Sequence, residues 1–584
     1  MFTTAIDPEV MKGALPKDFP ADRLSQPKYK MIVEHNVYIE MRDGVKVACD
    51  IYRPDSDEKF PALYATTAYQ KNLQHLPCVP TFHMVEVNKI DFFVERGYVY
   101  VVQDMRGTGD SEGDFGFFSL QEQLDFYDCI EWIAVQPWCT GKVGMIGESL
   151  LSWAQWLAAQ HQPPHLCTII PFDGGADIYR DVAYHGGVMS IGFPSVWYNW
   201  EVRAHYHMGY GPVKGKHNSR PNQGRFDFAW ECINHQTFDD FWKLRRSDIK
   251  KIKVPVYSIG EWHKSGLHLR GNLRGYEELE APKKLMVCQG ETDGDEMAVF
   301  NTPEMRLLML RWYDHWLKDN DTGMMEEPEV CLYIRGKDEF RFEEKWPLPR
   351  TNYTKYYLSG QKSGAVDSLN DGKLLPAPQK DGPASVTYSY PQKNWTNFGG
   401  PGSALIEHGM VYPYREILTF TTDPFEKETE ICGNIVLTLF ASSQLEFPEY
   451  KETKFLCRLW DQFPDAAQDP NYPIKAALLT QGRLKSCYSF DKDEEKTRPY
   501  RPYYTHETPK EIEDGKIYKY EIEILGTSCY FKHGHRLRLE IANYDSNALD
   551  HGGHYYGLSV GEDTIYFDGE HASFITLPIT YTEE

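Results

Sequence analysis

Gly147-Glu148-Ser149 lies where a short apolar run, Val143 to Ile146, gives way to a segment in which Leu150, Trp153, Ala154, Leu157 and Ala158 recur at helical spacing. A serine on a tight turn from strand to helix has its hydroxyl pushed out of the sheet, which is the geometry of a nucleophile elbow. The backbone N–H of the next residue, Leu150, then points to where an oxyanion would form. Leu151 stands where Gly-x-Ser-x-Gly would have its second glycine, so this stretch alone leaves open a turn serine with no chemistry.

Elements on both sides must position that serine. Val37-Tyr38-Ile39 and Val45-Lys46-Val47 flank Arg42-Asp43-Gly44 and predict a hairpin. Compact apolar runs at 61–67, 98–103, 143–146, 167–171, 254–259 and 285–289 alternate with helical patterns, predicting a mostly parallel sheet covered on both faces. The Gly-rich loop Asp104 to Gly113 reads as structural, with Arg106 and the carboxylates satisfying one another. From Asp173 to Lys250 the strand pattern lapses, and a mostly helical, aromatic-rich cap over an active site is expected. After Glu329 short alternating strands begin with Val330 to Ile334, and they predict a β-sandwich of jelly-roll type. Gln361 to Asp381 reads as a long connection. The expected division is an arm at 1–30, an α/β core at 31–172 and 251–325, a cap at 173–250 and a β-sandwich at 326–584.

A chain of 584 residues with 41% apolar content is long enough for two or three packed cores. Its formal charge of -23 argues against nucleic acid and anionic membranes as partners. The first thirty residues lack a secretion signal, and no apolar run has the length of a bilayer span. The 12 cysteines lack close pairs and metal-type spacing, as expected of reduced thiols in a cytoplasmic protein. No nucleotide-binding glycine fingerprint, metal-ligand cluster or flavin signature occurs, so no cofactor is expected.

The order of hairpin, Ala68-Tyr69, Asp-x-Arg-Gly-x-Gly-x-Ser-x-Gly at 104–113, serine elbow, cap and terminal β-sandwich resembles the X-Pro dipeptidyl-peptidase and cocaine esterase-like superfamily of α/β-hydrolases. The resemblance covers roughly residues 30 to 580. It implies an α/β-hydrolase core, Ser149 as nucleophile, Leu150 as backbone oxyanion donor and the Tyr69 hydroxyl as second oxyanion donor. It also allows a homo-oligomer. Asp177-Ile178-Tyr179-Arg180-Asp181 and Leu267-His268-Leu269-Arg270-Gly271-Asn272 resemble a less characterised subgroup.

The triad departs from the family pattern. Lys264, in Gly260-Glu261-Trp262-His263-Lys264, occupies the position of the acid, and no histidine follows the strand that ends at Gln289. His315 comes later, inside a predicted helix, as a packing or surface residue. A serine hydroxyl needs a base, and the candidates are His263, Lys264 with a pKa lowered by burial, or Asp293, Asp295 or Glu296 acting through water. His185, His205 and His207 in the cap are further candidates, and Glu148 reads equally as a structural residue. Two classes of function follow. One is a serine-dependent hydrolase or acyl transferase with a non-standard base, acting on a small-molecule ester or amide that the aromatic cap makes hydrophobic or aromatic. The other is a repurposed lyase, decarboxylase, isomerase or cyclase in the same pocket, and a silent binding protein ranks last.

Overall fold

In the computed structural model of the chain, the described residues are 11–74, 85–190, 192–203, 226–290, 299–390, 417–447, 449, 451–464, 476–543, 554 and 559–582. The hairpin β1 (Met31–Glu40) and β2 (Lys46–Pro54) is antiparallel, and Gly44 in its turn takes φ +83°, a backbone region that glycine enters without steric cost. Next come β3 (Phe60–Thr67), β4 (Val99–Asp104), β5 (Cys139–Met145) and β6 (Leu166–Ile169). A two-stranded hairpin, β7 (Tyr184–His185) and β8 (Val188–Met189), precedes β9 (Val256–Glu261), β10 (Lys283–Cys288), β11 (Val330–Ile334) and β12 (Glu339–Glu343).

Ten of these strands form one sheet in the order β1-β2-β4-β3-β5-β6-β9-β10-β11-β12, parallel from β4 through β11. Strands β3 and β4 are buried at every position, as expected where helices cover both faces of a parallel sheet. The helix Leu150–Ala159 is likewise buried at all ten residues, in keeping with a sequence that is apolar around its circumference.

Three expectations change. Val330–Ile334 pairs parallel with β10 and is the ninth strand of the first sheet, so this sheet runs past residue 326. A short apolar run at a sheet margin looks the same whichever sheet it joins. Second, Gln361 to Asp381 is not only a connection, because Gly372–Leu375 within it pairs with Tyr357–Ser359. Third, the arm before β1 is not merely superficial: Met11, Ala14 and Leu24 bury in the first core, and the Ser25 hydroxyl donates to Asp314 at 2.7 Å.

The remaining strands are β13 (Asn352–Ser359), β14 (Gly372–Leu375), β15 (Ser385–Tyr390), β16 (Leu418–Thr421), β17 (Thr429–Leu445), β18 (Lys454–Gln462), β19 (Ala476–Lys485), β20 (Tyr518–Phe531), β21 (Arg536–Ala542), β22 (Gly561–Tyr566) and β23 (Phe574–Thr582). They form a second sheet around its own apolar core. The 17-residue β17 pairs with β20 on one side and with both β22 and β23 on the other. Pairing of β17 with β23 closes the sheet on itself.

Among the described residues the cap contains the short helices Gly192–Trp197, Phe228–Asn234 and Asp240–Leu244 besides the β7–β8 hairpin. The two subgroup motifs meet beneath it. Arg270 pairs with Asp181 at 2.8 Å, and Asn272 Oδ1 accepts the Gly174 N–H at 3.0 Å. Arg180 pairs with Asp177 at 2.7 Å and donates to the carbonyls of Tyr504 and Thr505. The motifs therefore tie core, cap and second sheet together. Among the described residues no helix is long and apolar enough to cross a membrane.

Candidate active site

Ser149 adopts φ 56°, ψ -117° immediately before the helix Leu150–Ala159. For a residue with a side chain this is a strained conformation, of a kind that persists where the surroundings hold it. Three contacts hold it here. The Ser149 N–H donates to the Phe172 carbonyl at 3.1 Å, Ile146 N–H donates to Tyr64 O at 3.1 Å, and the Gln155 amide donates to Gly147 O at 3.0 Å. A Cβ on Gly147 would lie 2.4 Å from the Leu151 Cβ, at φ +140°. Leu151 thus fills the space against Gly147, which explains how the elbow forms without the second glycine of the pentapeptide. Leu150 opens its helix, so its N–H lies outside the helical hydrogen-bond ladder.

The register of β3 and β5 brings Tyr69 to the same sheet edge, since Tyr64 pairs with Met145 and both strands run on toward the site. Tyr69 is 1% exposed. Its N–H donates to Thr67 Oγ1 at 3.0 Å, and its hydroxyl accepts the Trp197 indole N–H at 2.8 Å. A phenol oxygen that accepts from an indole directs its own proton elsewhere. Two residues on, buried Lys71 sits among Asp50 at 3.3 Å, Asp104 at 3.8 Å and Asp110 at 3.0 Å, while its N–H donates to Asp104 Oδ1 at 2.6 Å. Burial pushes the Asp104 carboxyl up to about 7 despite the pull of Lys71. Arg106 pairs with Asp125 and with Asp43 at 3.0 Å. The Gly-rich loop is structural, as its composition suggested, and it anchors the segment that carries Tyr69.

Glu148, Asp173 and Glu261 stand at the carboxyl ends of the neighbouring strands β5, β6 and β9, and all three are buried. Burial drives the Glu148 carboxyl well above the usual carboxylate range; Lys264 opposes this, while Asp173, Glu261 and Glu86 add to it. Neither Glu148 oxygen has a hydrogen-bond partner among the described residues. Lys264 is 3% exposed and belongs to the turn Trp262–Gly266 that follows β9.

His263, in the same turn, has Nδ1 at 3.2 Å from the Gln289 carbonyl and at 3.5 Å from Glu261 Oε2. Its ring occupies the space that a side chain at residue 290 would need, since a Cβ on Gly290 would come within 1.6 Å of Nδ1. A carbonyl can only accept, so this contact assigns the proton to Nδ1 and leaves Nε2 as the basic nitrogen.

The other candidates separate from this group. Asp293, Asp295, Glu296, His205 and His207 lie outside the described residues. His185 contacts His554 at 2.7 Å and the Asp181 carbonyl at 2.9 Å, between cap and second sheet. His315 is half-buried beside Trp316 in the helix Pro303–Lys318. His268, which sequence reasoning noted only within a motif, is buried with its ring 5.6 Å from Trp153, one helical turn beyond Ser149. Trp153 in turn lies 6.1 Å from Trp197, and Phe117 lies 5.7 Å from Trp197. Trp197 therefore joins an aromatic cluster to Tyr69. Among the described residues no group of three or more His, Cys, Asp or Glu is arranged to hold a metal ion.

Comparison with known proteins agrees with this architecture. Residues 43–291 match the X-Pro dipeptidyl-peptidase (S15 family) model, and residues 322–576 match the X-Pro dipeptidyl-peptidase C-terminal non-catalytic domain. Cocaine esterase of Rhodococcus sp. (strain MB1 Bresler) is 26% identical over 612 residues, covering 94% of this chain and 98% of that protein. A CocE/NonD family hydrolase from Staphylococcus aureus superposes with a TM-score of 0.78 at 27% identity, over 94% of each chain. An α-amino acid ester hydrolase shares the fold with a TM-score of 0.69 at 19% identity, over 99% of this chain and 100% of that one. With both domain models matched in order, the chain belongs to the X-Pro dipeptidyl-peptidase and cocaine esterase-like superfamily of hydrolases.

Proposed function

We propose that this chain is a serine hydrolase that cleaves a small-molecule ester or amide through an acyl-enzyme on Ser149, with His263 as general base. The observation that carries this reading is the strained backbone of Ser149 at the end of β5, held by its bond to Phe172 O. Ser149 Oγ attacks the acyl carbon while its proton passes to His263 Nε2. The developing oxyanion accepts from Leu150 N–H and the Tyr69 hydroxyl. The alcohol or amine leaves with the proton, and water then attacks the acyl group by the reverse proton path. Glu261, 3.5 Å from His263 Nδ1, stabilises the imidazolium. Lys264, buried in the turn that follows β9, is a further candidate base. Asp295, acting through water, is the alternative base.

The aromatic cluster of Phe117, Trp153 and Trp197 favours a hydrophobic or aromatic group on the substrate. With β11 and β12 included, the site belongs to an α/β-hydrolase core at 31–172 and 251–343 with a cap at 173–250. The β-sandwich, read as jelly-roll-like, then starts after β12. The free thiols of the described cysteines favour a cytoplasmic setting, and a homo-oligomer fits the family reading.

A second reading is favoured by Glu148, whose carboxyl lies buried next to Ser149 and is raised well above the usual carboxylate range by that burial. Such a group suits acid–base chemistry without an acyl-enzyme, as in a lyase or isomerase. Steady-state assays on aryl and aminoacyl esters decide between them. Hydrolysis that disappears in Ser149→Ala supports the first reading, and turnover that survives the substitution supports the second.

A further inference from the structure

Away from the serine, a cavity of about 930 Å³ opens where the cap, the helix Leu269–Glu278 and the loop Glu495–Arg501 meet. Neither Ser149, Tyr69, His263 nor Lys264 lines it. The chain as a whole has 62 basic and 85 acidic residues, yet this wall reverses the balance with nine lysines and arginines against five carboxylates.

Three of the five carboxylates are engaged, although one Glu277 oxygen has no hydrogen-bond partner among the described residues. Glu278 pairs with Arg274 at 2.6 Å, Glu277 pairs with Arg501, and Glu329 accepts from Tyr276 at 2.8 Å. The Lys283 ammonium rests on the carbonyls of Tyr276 and Leu279, and Arg498 bonds only to carbonyls among the described residues. Arg274 and Arg501 are both more than nine-tenths buried, and Arg274 Nη1, Arg501 Nε and the Trp346 indole N–H have no acceptor among the described residues. Three buried donors without acceptors, two of them on guanidinium groups, are costly to leave unpaired. Burial first, and then the nearby charges of Arg501 and Arg270, pull the Arg274 pKa down, while Glu278 and Glu523 oppose the shift.

We propose that this groove is a binding site for a phosphate-bearing small molecule, separate from the serine site. Guanidinium N–H groups suit phosphate oxygens, and a polyanion is the ligand that a basic wall with three unsatisfied buried donors selects. The side chains of Lys345 and Arg498, exposed at the groove's margin, add attraction without being part of the fold's packing.

Isothermal titration calorimetry with pyrophosphate and, separately, with ATP tests the site in the full chain. Wild type and Ser149→Ala are expected to bind one equivalent of at least one probe, and the double variant Lys345→Glu, Arg498→Glu to bind at least about tenfold more weakly with an unchanged melting temperature. Preference for pyrophosphate identifies a free polyphosphate as the ligand type, and preference for ATP a nucleotide. Absence of binding by both probes, or equal affinity in the double variant, overturns the proposal.

Discussion

The Trp197 indole N–H donates to the Tyr69 hydroxyl at 2.8 Å, so a cap side chain fixes the orientation of a phenol that belongs to the sheet edge. This bond leaves the Tyr69 proton to be aimed at another acceptor, and in the proposed reaction that acceptor is the oxyanion. Removing one such donor costs on the order of a hundredfold to a thousandfold in kcat. Tyr69→Phe is therefore expected to lower kcat by about that factor with little change in KM. Trp197→Phe keeps an aromatic ring but loses the bond and part of the packing, and at least about a tenfold loss in kcat is expected. Steady-state kinetics on one ester substrate measures both.

Lys71 pairs with three buried aspartates two residues beyond Tyr69. Removing one partner of a buried ion pair strands the others, at a cost of about 3–5 kcal/mol. Lys71→Met is expected to lose stability of that order in urea unfolding. In the surviving folded fraction, kcat should fall while surface substitutions of similar size leave it unaltered.

Glu148 gives a signed pH dependence. Its carboxyl is raised well above 4.5 in the folded protein. The stability it contributes is fully present below the unfolded pKa and is lost as pH rises through the folded pKa, at up to about 1.4 kcal/mol per pH unit. Glu148→Gln copies the protonated form. The difference in unfolding free energy between the glutamine variant and wild type should grow in favour of the variant as pH rises above about 4.5. Urea titrations at several pH values read this out, and a constant difference would contradict the upward shift of the buried carboxyl.

His263 carries the proposed general-base role. His263→Gln retains a hydrogen-bonding side chain but cannot take up the serine proton, and kcat is expected to drop by about 10²–10⁴. A variant with full activity would transfer the role to the segment that contains Asp295.

The sequence made part of this site readable because the signal there is local. At Ser149 the hydrophobic period changes from strand to helix within a few residues, and the structure forms the expected turn with Ser149 at φ 56°. The Asp-Gly turn of the first hairpin and the parallel apolar runs were legible for the same reason. Contacts across long sequence distances were not. Nothing near Tyr69 announces Trp197, and nothing near Lys71 reveals that Asp50, Asp104 and Asp110 converge on it. The pairing of His263 with the Gln289 carbonyl depends on β9 and β10 lying side by side. Val330 to Ile334 was ambiguous in principle, because its apolar run fits the margin of either sheet. The motifs around Asp181 and Arg270 stood out in the sequence, and their mutual ion pair now gives them a structural role.

The most direct test of the central claim is intact-mass spectrometry after incubation with a fluorophosphonate. The account predicts a single covalent adduct on wild type, located on Ser149 by peptide mapping, none on Ser149→Ala, and slower labelling of His263→Gln. A folded wild-type protein that stays unlabelled while turning over its substrate would contradict an activated serine and return the pocket to acid–base chemistry at Glu148.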